Sequence, residues 1–187
     1  MSDPDATLPG VRMLTLAQLQ AIVPKTPPAR LATFVDPLNE CFEEFGITDI
    51  PQQQRFLAQL AHESGGFLYV RELASGADYE GRANLGNTQP GDGKRFRGRG
   101  LIQITGRANY TDCSRALFGD DRLLDSPELL EQPDLACRSA GWFWASRKLA
   151  GIEDFERLTR RINGGTNGLA DRYAYLGRAK AALTETA

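Results

Sequence analysis

The chain has 187 residues, 41% of them hydrophobic, which is enough for a core that needs neither disulfide nor metal to hold it. With 22 basic and 24 acidic residues the formal net charge is −2, which excludes a general nucleic-acid binder, because grip on phosphates needs a basic excess. If the substrate is anionic, basic side chains local to a cleft must recognise it.

Cys41, Cys113 and Cys137 are odd in number, widely spaced and in no CxxC pair, so they read as free thiols. No stretch approaches the ~18 apolar residues of a membrane span, and no membrane insertion is expected. Residues 1–5 hold no basic region leading into an apolar run, so no signal peptide is expected either.

In chain order, residues 1–12 read as a flexible tail. Thr15 can cap a short helix to about Val23, and Pro24, Pro27 and Pro28 then interrupt. Over residues 29–45, Leu31, Phe34, Val35, Leu38, Cys41 and Phe42 form a helical stripe that Gly46 ends. Pro51 suits the start of the next helix, whose apolar face is Phe56, Leu57, Leu60 and Ala61. Gly65-Gly66 stops it, leaving Glu63 in or just past the last turn.

Residues 67–100 are rich in Gly, Asn, Asp and Arg and weakly periodic. A loop this long in a compact domain is functional or disordered, and Tyr79, Leu85 and Phe96 argue for order. Short hairpin-like strands are expected here, including residues 101–105. Helices return at about 107–118, at Ser126-Pro127-Glu128, after Pro133, and at about 153–162 and 169–183. Of Trp142 and Trp144, one reads as core and the other as able to face a cleft.

The chemistry begins at His62-Glu63-Ser64-Gly65-Gly66. An HExxH zinc site is excluded, because Gly66 stands where the second histidine would be and His62 is the only histidine. No metal or other cofactor is expected. What remains is a carboxylate at a helix end, where the dipole disfavours the charged form; the same segment also reads as a plain surface glutamate. Glycoside hydrolysis needs two carboxyl groups, and Glu72, Asp78 and Glu80 follow within the loop, although solvated loop charges would look the same. The run from Arg97 to Tyr110 alternates apolar residues with Gln103 and Thr105 and then gives Asn109 and Tyr110, side chains that suit sugar hydroxyls, acetamido groups and ring faces. A two-sided strand with a helix cap would also explain that run. Gly91-Asp92-Gly93-Lys94-Arg95 lacks the Lys-Ser or Lys-Thr of a phosphate loop.

Beyond spacing, His62-Glu63-Ser64-Gly65-Gly66-Phe67, Tyr79-Glu80-Gly81-Arg82, Leu85-Gly86-Asn87-Thr88, Pro90-Gly91-Asp92-Gly93 and the run from Phe96 to Gly106 strongly resemble the family 19 glycoside hydrolases. Leu14-Thr15-Leu16-Ala17-Gln18-Leu19 and Pro37-Leu38-Asn39 resemble the chitinase-like phage endolysin branch, and the likeness covers about residues 13–183. It implies a mainly α, lysozyme-like fold, two lobes flanking a substrate cleft, with a long Gly-rich loop or small β-hairpin insertion. Residues 13–187 would form a single catalytic domain without a separate wall-binding module.

By resemblance Glu63 is the general acid, Glu72 the general base, and Thr105 holds the attacking water. Glu80 competes with Glu72 for the base role, because plant chitinases keep the second acid farther along. His62, Glu80, Gln103, Asn109, Tyr110, Asn163 and Arg172 are the implied substrate contacts. The expected activity is inverting cleavage of β-1,4 bonds between N-acetylmuramic acid and N-acetylglucosamine in peptidoglycan, with the carboxyl groups about 6.5–9.5 Å apart to admit water. A chitinase on N-acetylglucosamine polymers and a non-catalytic sugar-binding module of the same fold are the alternatives. The expected partner is the peptidoglycan glycan strand, met by a monomer made in a host cytoplasm and released through a holin.

Overall fold

The computed structural model describes residues 13–184, so the tail expected at 1–12 lies outside the described residues. Thr15 caps α1 (Leu16–Ile22) with a reciprocal capping box: its side chain accepts from the Gln18 backbone and Gln18 reaches back. Helix α2 (Pro28–Glu44) buries Leu31, Phe34, Leu38, Cys41 and Phe42, the stripe read from the sequence. Asp49 caps α3 (Ile50–Glu63), whose final residue is Glu63. Beyond the glycine-rich segment come α4 (Asp92–Arg95), α5 (Arg107–Phe118), α6 (Arg122–Asp125), α7 (Pro133–Ser146), α8 (Phe155–Asn163) and α9 (Leu169–Ala182). Ser126-Pro127-Glu128 opens a single 3-10 turn (Pro127–Glu131).

The core forms where α3 packs on α9 and α2 on α7. Phe56 of α3 stands edge-on to Trp144 of α7, ring centroids 5.2 Å apart, and to Phe42 of α2 at 6.0 Å. Trp144 is therefore the core tryptophan, and Trp142 is only partly buried. The three cysteines are free and buried, as the sequence suggested. Burial pushes the Cys41 and Cys113 thiols up to about 12, which makes them inert at neutral pH.

The expected strands are absent among the described residues; only the isolated pairings Arg71 with Arg99 and Arg99 with Ile104 occur. The alternating pattern at 101–105 is overridden by a tight turn. Gln103 adopts φ +60° and its amide bonds to Gly100 O, so the chain folds back between Arg99 and Ile104. The glycine-rich segment is nonetheless ordered by specific ties. Asp92, almost wholly buried, takes two hydrogen bonds from Arg107, which hold its carboxyl below the usual range. Asn87 accepts from the Arg107 backbone N–H and donates to Tyr79 O. Arg99 pairs with Glu131 at 2.9 Å and with the Tyr110 hydroxyl at 3.1 Å.

Gly141 sets how closely α7 approaches α2: a Cβ there would fall 2.2 Å from the Phe45 ring and 2.6 Å from Cys41 Sγ. Replacing a helical glycine by alanine normally gains about 1 kcal/mol. Here the clash outweighs it, and Gly141→Ala is expected to lower stability by roughly 1–3 kcal/mol, read as a lower thermal midpoint.

Candidate active site

Glu63 ends α3 at the point where Gly65 and Gly66 turn the chain with φ of +59° and +75°. Its Oε1 accepts from Arg172 Nη2 at 2.5 Å. The Arg172 side chain is 2% exposed and that of Glu63 is 20% exposed, so a buried cation backs a carboxyl that still faces solvent. Arg172, from α9, also donates to Gln59 Oε1 and, at 3.3 Å, to Asn167 O. Gln59 in turn donates to Thr159 Oγ1 of α8 at 3.0 Å. Four residues before Glu63, Gln59 occupies the same face of α3, and the pair brackets one guanidinium. One carboxyl oxygen of Glu63 is thus pinned, and no hydrogen bond reaches the other among the described residues.

Glu63 opens into a groove of about 230 Å³. Its polar lining comes from Gln103, Thr105, Asn109, Arg147 and Asn163, and Leu85, Ile102, Ile104, Phe143 and Ile162 give apolar surface. Asn109 is held by Thr105 O at 2.7 Å, and Thr105 Oγ1 by Gln103 O at 2.9 Å. Arg147 lies over the Phe143 ring, 4.1 Å from its centroid.

Glu72 reaches the same region from another strand of chain. Its backbone N–H donates to Gly98 O at 2.9 Å, so residues 70–72 run antiparallel to 98–100. Its Oε1 accepts from the Tyr79 hydroxyl at 2.8 Å and its Oε2 from Gly98 N–H at 3.1 Å. Burial and the Glu72 hydrogen bond push the Tyr79 hydroxyl up to about 12, so it remains a donor at any working pH. A Cβ on Gly98 would lie 2.7 Å from Gln103 Oε1, 3.3 Å from Thr105 Oγ1 and 3.4 Å from Glu72 Oε2. Glycine at 98 therefore keeps open the point where these three polar groups converge. Glu63 and Glu72 share no partner and no hydrogen bond joins them among the described residues.

Of the residues expected from the sequence, Glu63, Gln103, Thr105, Asn109 and Asn163 line one groove, with Glu72 beside Gln103 and Thr105. Four of the expected sugar contacts, Tyr110, Arg172, Glu80 and His62, lie outside that lining. Tyr110 is fully buried, its ring tilted against Phe96 and its hydroxyl donating to Arg97 O, so it has no face for a sugar. Arg172 is buried behind Glu63 and acts on that carboxyl. Glu80 spends both oxygens on the Gly91 and Gly93 N–H groups at the start of α4 and lies outside the groove lining. Glu72, by contrast, stands beside Gln103 and Thr105. His62 packs against Gly168, where a Cβ would sit 2.1 Å from its ring, and hydrogen-bonds Asp171 at 2.7 Å. Sequence reading missed Arg147, Tyr79 as the partner of Glu72, and Gln59. Only Gln59 carried a usable signal, its i, i+4 spacing from Glu63.

A pair of carboxyl groups served by separate donors, beside a groove of amide and hydroxyl groups, is the equipment of a glycosidase. Residues 55–154 match the family model described as Chitinase class I. A glycosyl hydrolase family 19 domain-containing protein of Haemophilus influenzae is 34% identical over 161 residues, covering 70% of this chain and 79% of that one. An endochitinase of Arabidopsis thaliana is 40% identical over 110 residues, and the matched stretch is 58% of this chain but 38% of the plant protein. Chitinase C from Streptomyces griseus shares the fold, with a TM-score of 0.69 at 24% identity over 90% of this chain and 91% of that one. The chain belongs to glycoside hydrolase family 19 and is a chitinase-like glycoside hydrolase.

Two substitutions probe the two walls. Tyr79→Phe removes one charged-acceptor hydrogen bond, about 1.5–3 kcal/mol, and should lower kcat roughly 10-fold or more with little change in thermal midpoint. Arg172→Gln leaves Glu63 and Gln59 without their common donor; kcat should fall at least about 100-fold, with a lowered melting temperature by circular dichroism as the accompanying sign.

Proposed function

We propose that this chain is a peptidoglycan-degrading endolysin that cleaves the β-1,4 bond between N-acetylmuramic acid and N-acetylglucosamine with inversion. The observation that carries the reading is the division of labour between the two acids. Glu63 has one oxygen fixed by Arg172 and one free in the groove, whereas Glu72 is held by Tyr79 and Gly98 beside Thr105. In the proposed step, Glu63 gives the proton on its free oxygen to the glycosidic oxygen, and the bond from that oxygen to the anomeric carbon breaks. A water between Glu72 and Thr105 adds to the opposite face of the sugar, passing its proton to Glu72. The net change is the addition of one water across the bond, and a second water exchange returns both carboxyls to their starting states.

The wall substrate is supported by the two motifs that resemble the lysin branch. They meet in the fold: Asn39 accepts from Leu14 N–H at 2.7 Å and donates to Leu14 O at 2.9 Å. In this proposal the protein is a monomer, is made in the host cytoplasm, and reaches the wall through a holin. Similarity to plant endochitinases favours a second reading, an endochitinase on N-acetylglucosamine polymers.

Glu63→Gln should reduce hydrolysis by roughly 10²–10⁴-fold while the melting curve is kept. Proton NMR of the first products should show the α-anomer, and mass spectrometry of reduced digests should find muramitol at the new ends. Initial β-anomer, or near-normal turnover by Glu63→Gln, removes this mechanism. Release from chitin oligomers alone selects the second reading.

A further inference from the structure

The groove does not end at Asn163. Arg147 lines it, and Arg161 stands close enough to Arg147 for their charges to interact. Arg161 also lines a neighbouring open hollow with Arg157, Arg160 and Ile152, and is followed on α8 by Ile162 and Asn163, both in the groove. Positions 157, 160 and 161 share one helical face, and all three side chains are exposed. Arg160 is paired with Glu156 at 2.8 Å, whereas Arg147, Arg157 and Arg161 have no carboxylate partner among the described residues. Arg147 still donates to Asn109 Oδ1 at 3.5 Å, but three guanidinium groups without a counter-charge, one in the sugar groove and two in the hollow beside it, are a surplus of charge for a neutral glycan and a match for one bearing carboxylates.

We infer that the strip Arg147–Arg161–Arg157 is a recognition site for the carboxylates that hang from the glycan strand, those of the peptide stems on its lactyl groups. The inference rests on the proposed cleavage of wall glycan and adds what selects it over chitin. Arg147 takes the carboxylate nearest the scissile bond, and Arg161 and Arg157 take acidic groups farther along. Burial, and secondarily the neighbouring charge of Arg161, hold Arg147 below its ordinary pKa without discharging it, the condition of a cation that gains from an incoming anion.

The test separates binding from cleavage. Phosphate-free sacculi are prepared, one half with their carboxyl groups converted to amides. Co-sedimentation then measures binding of the Glu63→Gln protein and of the same protein carrying R157Q and R161Q. The expected result is a 10-fold or greater loss of affinity on substitution, a similar loss on amidation, and little further loss when both are combined. Equal binding by the two proteins, binding unchanged by amidation, or no binding to sacculi at all overturns the inference. Release of reducing ends from the same sacculi by the unsubstituted protein decides the underlying reading separately. Because amidation leaves every arginine in place, the result does not hang on how the substituted protein folds.

Discussion

The Glu63 wall of this site is arranged around one buried guanidinium. A charge taken out of water costs several kcal/mol unless hydrogen bonds and a counter-charge replace the lost solvent. Arg172 obtains them from Glu63, Gln59 and the Asn167 carbonyl, that is, from α3 and from the loop that joins α8 to α9. Gln59 then passes the connection to Thr159 on α8. Three helices are therefore tied together at the place where Glu63 leaves α3. The carboxyl is aimed from behind, by the core, so its direction depends on helix packing and on nothing in the groove it faces.

The opposite wall is built by a different principle. Residues 64–106 have no strand and only short helical turns among the described residues, and polar side chains tie the segment down. Asp92 with Arg107, Arg99 with Glu131, and Glu80 with two backbone N–H groups fasten the segment at separate points. Glu72 hangs from this mesh by Tyr79 and Gly98. Irregular backbone is suited to this task, because loops can present several side chains to one point that a helix or strand would spread apart. Gly76 and Gly93 show the constraint at its sharpest, since a Cβ on either would fall 2.5–2.6 Å from backbone atoms of the other turn.

This contrast explains what could be read from the sequence. Helices α1, α2, α3, α5, α8 and α9 follow from apolar spacing, caps and glycine stops, and Thr15 caps where it should. Glu63 at the end of α3 follows from Gly65-Gly66. The alternation at 101–105 misled, because a left-handed Gln103 turns the chain before any partner strand can form, and that conformation leaves no trace in hydrophobic periodicity. Tyr110 misled for a related reason: an aromatic next to polar residues suits a sugar platform and a core filler equally, and only the packing of Phe96 decides. Arg172 and Glu63 are 109 positions apart, so no local pattern connects them.

The formal charge of −2 is likewise an average that hides its distribution. Many surface arginines are neutralised at home: Arg115 by Asp121, Arg122 by Asp120, Arg138 by Glu44, Arg160 by Glu156. Arg30, Arg55, Arg95 and Arg178 lack a carboxylate but donate to main-chain carbonyls, whereas Arg157 and Arg161, beside the groove, make neither contact among the described residues. At physiological salt the field of a charge fades over about 8 Å, so what a glycan strand meets is set by its nearest few side chains and hardly at all by the molecule's total. A protein can thus be acidic overall and still present a cationic exit to a polyanion. The same balance keeps it from the indiscriminate adhesion that a uniformly basic surface would bring.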